Sequence, residues 1–434
     1  MTGNSVRKVA IVGGARIPFC RSNTLYSQRS NEDMLTAAFK AVVDKYQLHG
    51  EQLGEAQAGA VLKHSRDFNL CREAVLSSGL AAETPASDVQ MACGTGLQAT
   101  INIANKIALG QIDVGLAGGV DTASDAPIGV NEKLRKVLLK ANAAKTTGAR
   151  IAALTGLRPQ HFFMPATPSV MERRTGLSMG QHCEAMAREW KITREDQDQL
   201  AYLSHKNAAK AYEEGFYKDL VVPYSGAERD NNLRADTTLE KLASLGPAFD
   251  RKSGYGTLTA GNSTPLTDGA SAVLLASEDW AKAHGMKVLA YLTGCQTSAV
   301  DFVNKKEGLL MAPAYAVPKM LARANLKLQD FDFYEIHEAF AAQVLCTLKA
   351  WNDPKFCKDR LGLSAPLGEI DRSKLNIKGG SVAMGHPFAA TGGRILGTLA
   401  KIIDQHVGKN GGGARGLISI CAAGGLGVTA ILER

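Results

Sequence analysis

No CxxC pair occurs among the eight cysteines of this 434-residue chain, and eight are too few for its length to form a disulfide framework. Free thiols in a reducing compartment are expected, hence a cytoplasmic location. No HExxH zinc motif occurs either: in His337-Glu338-Ala339-Phe340-Ala341 an alanine stands where the second histidine is required. The remaining histidines and cysteines lack metal-ligand spacing, so no metal is expected. Met1–Lys8 has no apolar leader stretch, and a strand-like run begins only at Val9. No uniformly apolar run of membrane length is found. The uncharged stretch Gly416–Leu432 is rich in Gly and Ala and broken by turn residues, which fits two buried strands joined by a tight turn.

The net charge of +8 is a modest excess for this length. Much basic character falls between Lys133 and Arg158, with Arg135, Lys136, Lys140, Lys145 and Arg150 between them and Leu134, Val137, Leu138 and Leu139 interleaved. The pattern suits a solvated lid face, or a basic amphipathic helix for phosphate, partner or peripheral membrane contact. Aromatics are sparse there and no nucleic-acid motif appears, so nucleic acid is not an expected partner.

The chain repeats itself. A strand at Lys8–Gly14, a helix near Asp33–Tyr46, a strand at Gly59–Leu62, a helix carrying Cys71, a glycine turn at Cys93, a helix from Gln98 to Leu109 and a strand ending in Gly118-Gly119 form the first series. Lys287–Leu292, a helix at Ala316–Ala324, a strand at Asp332–Ile336 leading through His337 into a helix, a glycine turn at His386, a helix from Arg394 to Ile403 and a strand ending in Gly424-Gly425 form the second. His386 thus takes the slot of Cys93. The second series closes at once with a strand at Gly427–Leu432, whereas the matching strand of the first, Ala270–Ala276, comes more than a hundred residues late. The reading is an α/β chain of two pseudo-symmetric mixed sheets. Residues 1–121 with 256–280 form the first half, 281–434 the second, and 122–255 an inserted helical loop domain or lid.

Three reactive residues sit on the glycine turns. Cys93, in Met91-Ala92-Cys93-Gly94-Thr95-Gly96, precedes a helix whose unpaired N–H groups and dipole favour a thiolate. His386, before Pro387, could take its proton. Cys421, in Ser419-Ile420-Cys421-Ala422-Ala423-Gly424-Gly425, could serve a second proton transfer, which C–C bond chemistry beside a thioester needs. His337 suits a donor at an oxyanion site. The run Gly261-Asn262-Ser263-Thr264-Pro265-Leu266-Thr267-Asp268-Gly269-Ala270 reads as a hinge, or as a backbone-lined wall for an amide-bearing ligand arm.

In these motifs, across nearly its whole length and in the same order, the chain resembles the thiolase family. HEAFA with CAAGGLG looks like the branch containing bacterial anaerobic fatty-acid-oxidation thiolases and the mitochondrial trifunctional β subunit. The resemblance implies a duplicated fold in αβαβα layers. It also implies the activity, acetyl-CoA C-acyltransferase: thiolytic cleavage of 3-oxoacyl-CoA in fatty-acid β-oxidation through an acyl-cysteine. Cys93 would be the nucleophile, His386 its activator, and Cys421 the acid/base. His337 would hold a water in one oxyanion hole, and the backbone N–H groups of Cys93 and Ala423 would form the other. Met179, Ser263 and Thr264 would line the CoA site. Coenzyme A would be a substrate and no other cofactor needed. A homodimer is implied, and association with a hydratase/dehydrogenase subunit is suggested by the branch. Many thiolases have Asn in place of His337 and Gly in place of Ala423. Alternatives are a biosynthetic acetyl-CoA C-acetyltransferase running the reverse condensation, a ketoacyl-carrier-protein synthase, and a non-catalytic acyl-CoA-binding or lipid-transfer subunit.

Overall fold

The computed structural model describes residues 6–434; residues 1–5, part of the segment read above as lacking a leader, lie outside the described residues. Ten strands carry the fold: β1 Val9–Arg16, β2 Cys20–Arg21, β3 Glu55–Ala58, β4 Ala86–Asp88, β5 Val114–Asp121, β6 Thr267–Ser277, β7 Ala290–Ala299, β8 Phe333–Ile336, β9 Arg415–Ala422 and β10 Leu426–Glu433. Their order is β4-β3-β5-β6-β1-β7-β10-β9-β8, with β2 against β6. The duplication is visible in the pairing itself. β1 pairs antiparallel with β6, β6 antiparallel with β5, and β5 parallel with β3. β7, β10, β9 and β8 repeat those three relations in that order. The two halves are not separate sheets: β1 and β7 meet through the short ladder Ala10↔Tyr291 and Ile11↔Ala290.

β1, β5 and β6 are buried along their whole length and β9 along nearly all of it, so these strands lack the in–out alternation of a half-solvated sheet. Helices Thr95–Ala108 and Thr391–Asn410 lie in the middle of the molecule, where Leu97, Ile103, Ile395 and Leu399 pack with Ile11, Leu275, Ile418 and Val428 from both halves. Helices Asn31–Tyr46 and Leu70–Ser78 cover the other side of the first half. Ala312–Ala324 and Ala341–Asn352 cover the second. The result is the layered α/β arrangement. The two central helices approach closely only because glycine stands at their starts. A Cβ on Gly96 would sit 2.6 Å from the Ala389 carbonyl oxygen, and one on Gly392 2.2 Å from the Leu97 nitrogen.

Three expectations shift. Gly59–Leu62 is not a strand: β3 ends at Ala58, and a Cβ on Gly59 would lie 1.8 Å from the Val89 carbonyl oxygen. The peptide N–H groups of Val61 and Leu62 bond instead to the Asp121 carboxylate, at 2.9 and 2.8 Å. His337 does not open a helix, because the following helix begins only at Ala341, after Phe340. The strand expected at Lys287–Leu292 is the longer β7, beginning at Ala290.

Residues 122–266 separate β5 from β6. They are tied down by apolar packing, as of Phe216 and Leu220 against Met384 and Ile402, and by buried polar contacts. Arg16 of β1 holds Asp230 through two bonds of 2.6 and 2.7 Å, and Asp230 also accepts from the Phe19 N–H and the Tyr212 hydroxyl. Glu338, beside His337, accepts from Ser204 of the helix Arg194–Glu213 at 2.7 Å and from Asn376 at 2.6 Å.

Candidate active site

Cys93 sits on a strained turn. Ala92, just before it, has φ +45°, a left-handed conformation that costs a non-glycine residue about 1–2 kcal/mol. Thr95 stabilises the turn by accepting from the Met91 N–H at 2.8 Å and donating to the Ala92 carbonyl at 2.7 Å. Gly94 then starts the helix Thr95–Ala108 without a side-chain cap, so its dipole faces the thiol uncompensated by a capping oxygen.

His386 reaches this turn from the other half. Gly385, at φ +104°, allows the chain to reverse before it. The His386 N–H donates to Thr267 of β6 at 2.7 Å, and the Ala389 N–H donates to Asp121 of β5 at 2.8 Å. The second half's turn is thus stitched to the ends of two first-half strands. The imidazole Nε2 lies 3.1 Å from Cys93 Sγ, and Nδ1 lies 2.5 Å from Thr391 Oγ1. With Nδ1–H donating to Thr391, Nε2 is left free to accept the thiol proton.

Burial dominates the electrostatics. It lowers the His386 pKa to about 3, with Arg394 adding to the effect, and raises the Cys93 thiol to about 12. The resting pair is therefore neutral thiol and neutral imidazole. Two backbone N–H groups oppose the rise at Cys93, those of Ala423 and of Cys93 itself. His337 is fully buried, with its pKa held well below the ordinary value by burial, His386 and Arg394. Its ring lies 4.1 Å from that of His386, centroid to centroid. Cys93, His337 and His386 offer ligand atoms within 4.8 Å of one another, the one such group among the described residues. Cys421 stands outside that group, 1 % exposed near the end of β9. Burial raises its thiol well above the usual range, and the Cys93 sulfur raises it further.

An apolar cavity of about 270 Å³ opens on Cys93, with Val61, Leu62, Val170, Leu266 and Phe388 among its walls. Met179 and Ala423 also line it. Ser263 and Thr264 do not. Ser263 forms a β-bridge with Phe340, and the Thr264 N–H and hydroxyl both donate to the Ala339 carbonyl at 3.1 Å. This run braces the His337 turn. Sequence reasoning missed Thr267 and Thr391, which set His386, and Ser381 and Asp121. Thr391 carried a signal: a hydroxyl five residues after a histidine, at the start of a helix.

Residues 9–279 match the family described as thiolase, N-terminal domain, and residues 286–434 match thiolase, C-terminal domain. The chain belongs to the thiolase family. It is 43% identical to the 3-ketoacyl-CoA thiolase of Pectobacterium carotovorum over 98% of this chain and 96% of that protein. It is 42% identical to the 3-ketoacyl-CoA thiolase of Shewanella sediminis over 98% and 97%. Among solved structures, the Bacillus anthracis acetyl-CoA acetyltransferase superposes with a TM-score of 0.80 at 28% identity, covering 99% of this chain and 100% of that one. The human mitochondrial 3-ketoacyl-CoA thiolase in complex with CoA superposes with a TM-score of 0.79 at 29% identity, covering 99% and 98%. This thiolase is an acyltransferase of fatty-acid metabolism with the fold of those enzymes. Among the described residues no helix is long and apolar enough to cross a membrane.

Proposed function

We propose that the chain cleaves 3-oxoacyl-CoA with CoA to give acetyl-CoA and an acyl-CoA two carbons shorter. The observation that carries the reading is the 3.1 Å contact between Cys93 Sγ and His386 Nε2, two residues from opposite halves, beside an apolar cavity. The Cys93 proton passes to His386 as the sulfur attacks the 3-keto carbon. The tetrahedral oxyanion collapses, the bond between carbons 2 and 3 breaks, and the acetyl-CoA enolate takes a proton from Cys421. A thiol whose pKa is raised suits that acid role. Cys421, now a thiolate, takes the proton of incoming CoA, whose sulfur displaces the acyl group from Cys93. His386 then returns its proton. The Ala423 and Cys93 N–H groups and a water held by His337 stabilise the oxyanions. The same residues run in reverse would condense two acetyl-CoA, the reaction suggested by the acetyltransferase neighbour's name.

Residues 122–255 are proposed as the lid over the CoA arm, with Met179 against pantetheine; the binding of CoA by the human neighbour supports this. The basic side chains from Lys133 to Arg158 are exposed, which suits contact with phosphate, a hydratase/dehydrogenase subunit or a membrane surface. A homodimer, a cytoplasmic location and freedom from metals or other cofactors belong to the same reading. The test is CoA-dependent loss of 3-oxoacyl-CoA across short to long chains. Turnover at one or more lengths is expected. No turnover at any length, with acyl-CoA still bound, would favour a binding subunit. Turnover only on carrier-protein thioesters would favour the synthase alternative.

A further inference from the structure

Two imidazoles in van der Waals range of each other share this site, and the chemistry asks opposite things of them. His386 must present a bare nitrogen to the Cys93 thiol. An oxyanion or its water needs a hydrogen on the nitrogen it meets at His337. A neutral imidazole carries one N–H, so the two rings must hold opposite tautomers.

Each ring nitrogen facing away from the site meets a hydroxyl, so the hydroxyls are the candidates for the selection. His386 Nδ1 meets Thr391 Oγ1 and His337 Nδ1 meets Ser381 Oγ, the latter at 2.8 Å. What differs is the next atom out. Arg394, fully buried on the central helix Thr391–Asn410, donates from Nη2 to Ser381 Oγ at 2.6 Å. Arginine has no acceptor, so Ser381 must accept there. Among the described residues Ser381 Oγ has two hydrogen-bond partners, Arg394 and His337. Of those two partners only His337 Nδ1 can accept, so the Ser381 proton is satisfied only when it points there. That makes Nδ1 the acceptor and puts the ring's hydrogen on Nε2. His337 Nε2 is buried and has no hydrogen-bond partner among the described residues. A buried donor left unpaired is costly, and a bound substrate oxygen or water would satisfy it. The Glu335 carboxyl lies 3.9 Å from Nη1, beyond hydrogen-bond distance, and burial pushes its pKa up to about 8.

We infer that Ser381 and Arg394 are positioning residues that lock His337 as the Nε2–H tautomer, so that one histidine of the pair donates while its neighbour accepts. The inference rests on the thiolase reading for what Nε2–H meets. It is separable from that reading because the tautomer exists without substrate.

The test is a double-mutant cycle with Ser381→Ala in two backgrounds, His337 and His337→Asn. Asparagine's amide nitrogen is a donor without any choice of tautomer. In the His337 background Ser381→Ala is expected to lower kcat about tenfold to a hundredfold with KM within about twofold, less than the 10²–10³ for removing an oxyanion donor outright. In the His337→Asn background the same change is expected to alter kcat by less than about twofold. Equal losses in both backgrounds would overturn the inference. Nitrogen-15 NMR of the histidines in the wild-type chain decides the matter without any variant. Protonated Nε2 and bare Nδ1 at His337 are expected; the reverse would overturn the assignment even if Ser381→Ala fails to fold. A wild-type chain with no thiolysis would count against the thiolase reading, while the NMR result would still decide the tautomer.

Discussion

β5–β6 and β9–β10 are the same strand pair built twice, yet they are closed in opposite ways. The Gly424-Gly425 turn joins β9 to β10 within a few residues, while residues 122–266 separate β5 from β6. The antiparallel register is regular in both, from Val114↔Ala276 to Asp121↔Gly269 and from Arg415↔Glu433 to Ala422↔Leu426. The comparison teaches that buried strands set the pairing and the linker merely permits it. Closure entropy rises only slowly with loop length, so a long excursion is tolerated once its ends are fixed. The division of labour follows. The tightly closed pair carries Cys421, near the end of β9, and the Ala423 N–H, and the long excursion supplies cavity walls such as Val170 and Met179.

The largest effect should come from the tightly closed pair. Cys421→Ala is expected to lower thiolysis by about 10²–10⁴, the usual worth of a positioned acid or base. Acylation of Cys93 by a simple acyl-CoA, the CoA step in reverse, should fall less, because a thiolate leaves without a proton more readily than an enolate. Equal loss of both activities together with a lowered unfolding midpoint would make Cys421 structural. Next comes the anchor of the long excursion. Asp230→Ala leaves Arg16 buried without its partner and should cost about 3–5 kcal/mol in denaturant unfolding. A cost under 1 kcal/mol would mean that other contacts hold the insertion. Smaller again is Gly424→Ala. Gly424 has φ +81° and a Cβ there would meet only Leu426, at 3.9 Å, so backbone strain opposes the methyl, about 1–2 kcal/mol, read as a lower unfolding midpoint. The smallest expected effect is none. His386 is lowered to about 3, so its protonation disables the base only near that pH. The kcat/KM profile for acylation should then show no acid limb near pH 6.5 from this group. A limb at 6.5 that disappears in His386→Ala would contradict the buried neutral pair.

Much of this was legible in the residues because each reactive side chain stands beside glycine at the end of an element: Cys93 beyond β4, His386 after the short helix Ser381–Met384 and Cys421 near the end of β9. The repeat of strand, helix, turn and helix placed His386 in the slot of Cys93, and the two meet. Gly59–Leu62 misled because apolarity there has another cause. Val61 and Leu62 line the cavity, and a short apolar run looks the same whether it faces a sheet or a ligand. Ser381, Thr267 and Asp121 were illegible for a different reason. Asp121 acts on Val61, Leu62 and Ala389, and Thr267 on His386, across 59 to 268 residues of chain, and no local pattern encodes such partners. The β1–β7 ladder was hidden likewise, since two residue pairs join what reads as two separate sheets.

The most direct measurement is intact-protein mass spectrometry after mixing the chain with 3-oxoacyl-CoA in the absence of free CoA. One acyl group per chain is expected, mapping to Cys93 by peptide sequencing and absent from Cys93→Ala. An acyl group on Cys421, or one retained in Cys93→Ala, would contradict the account.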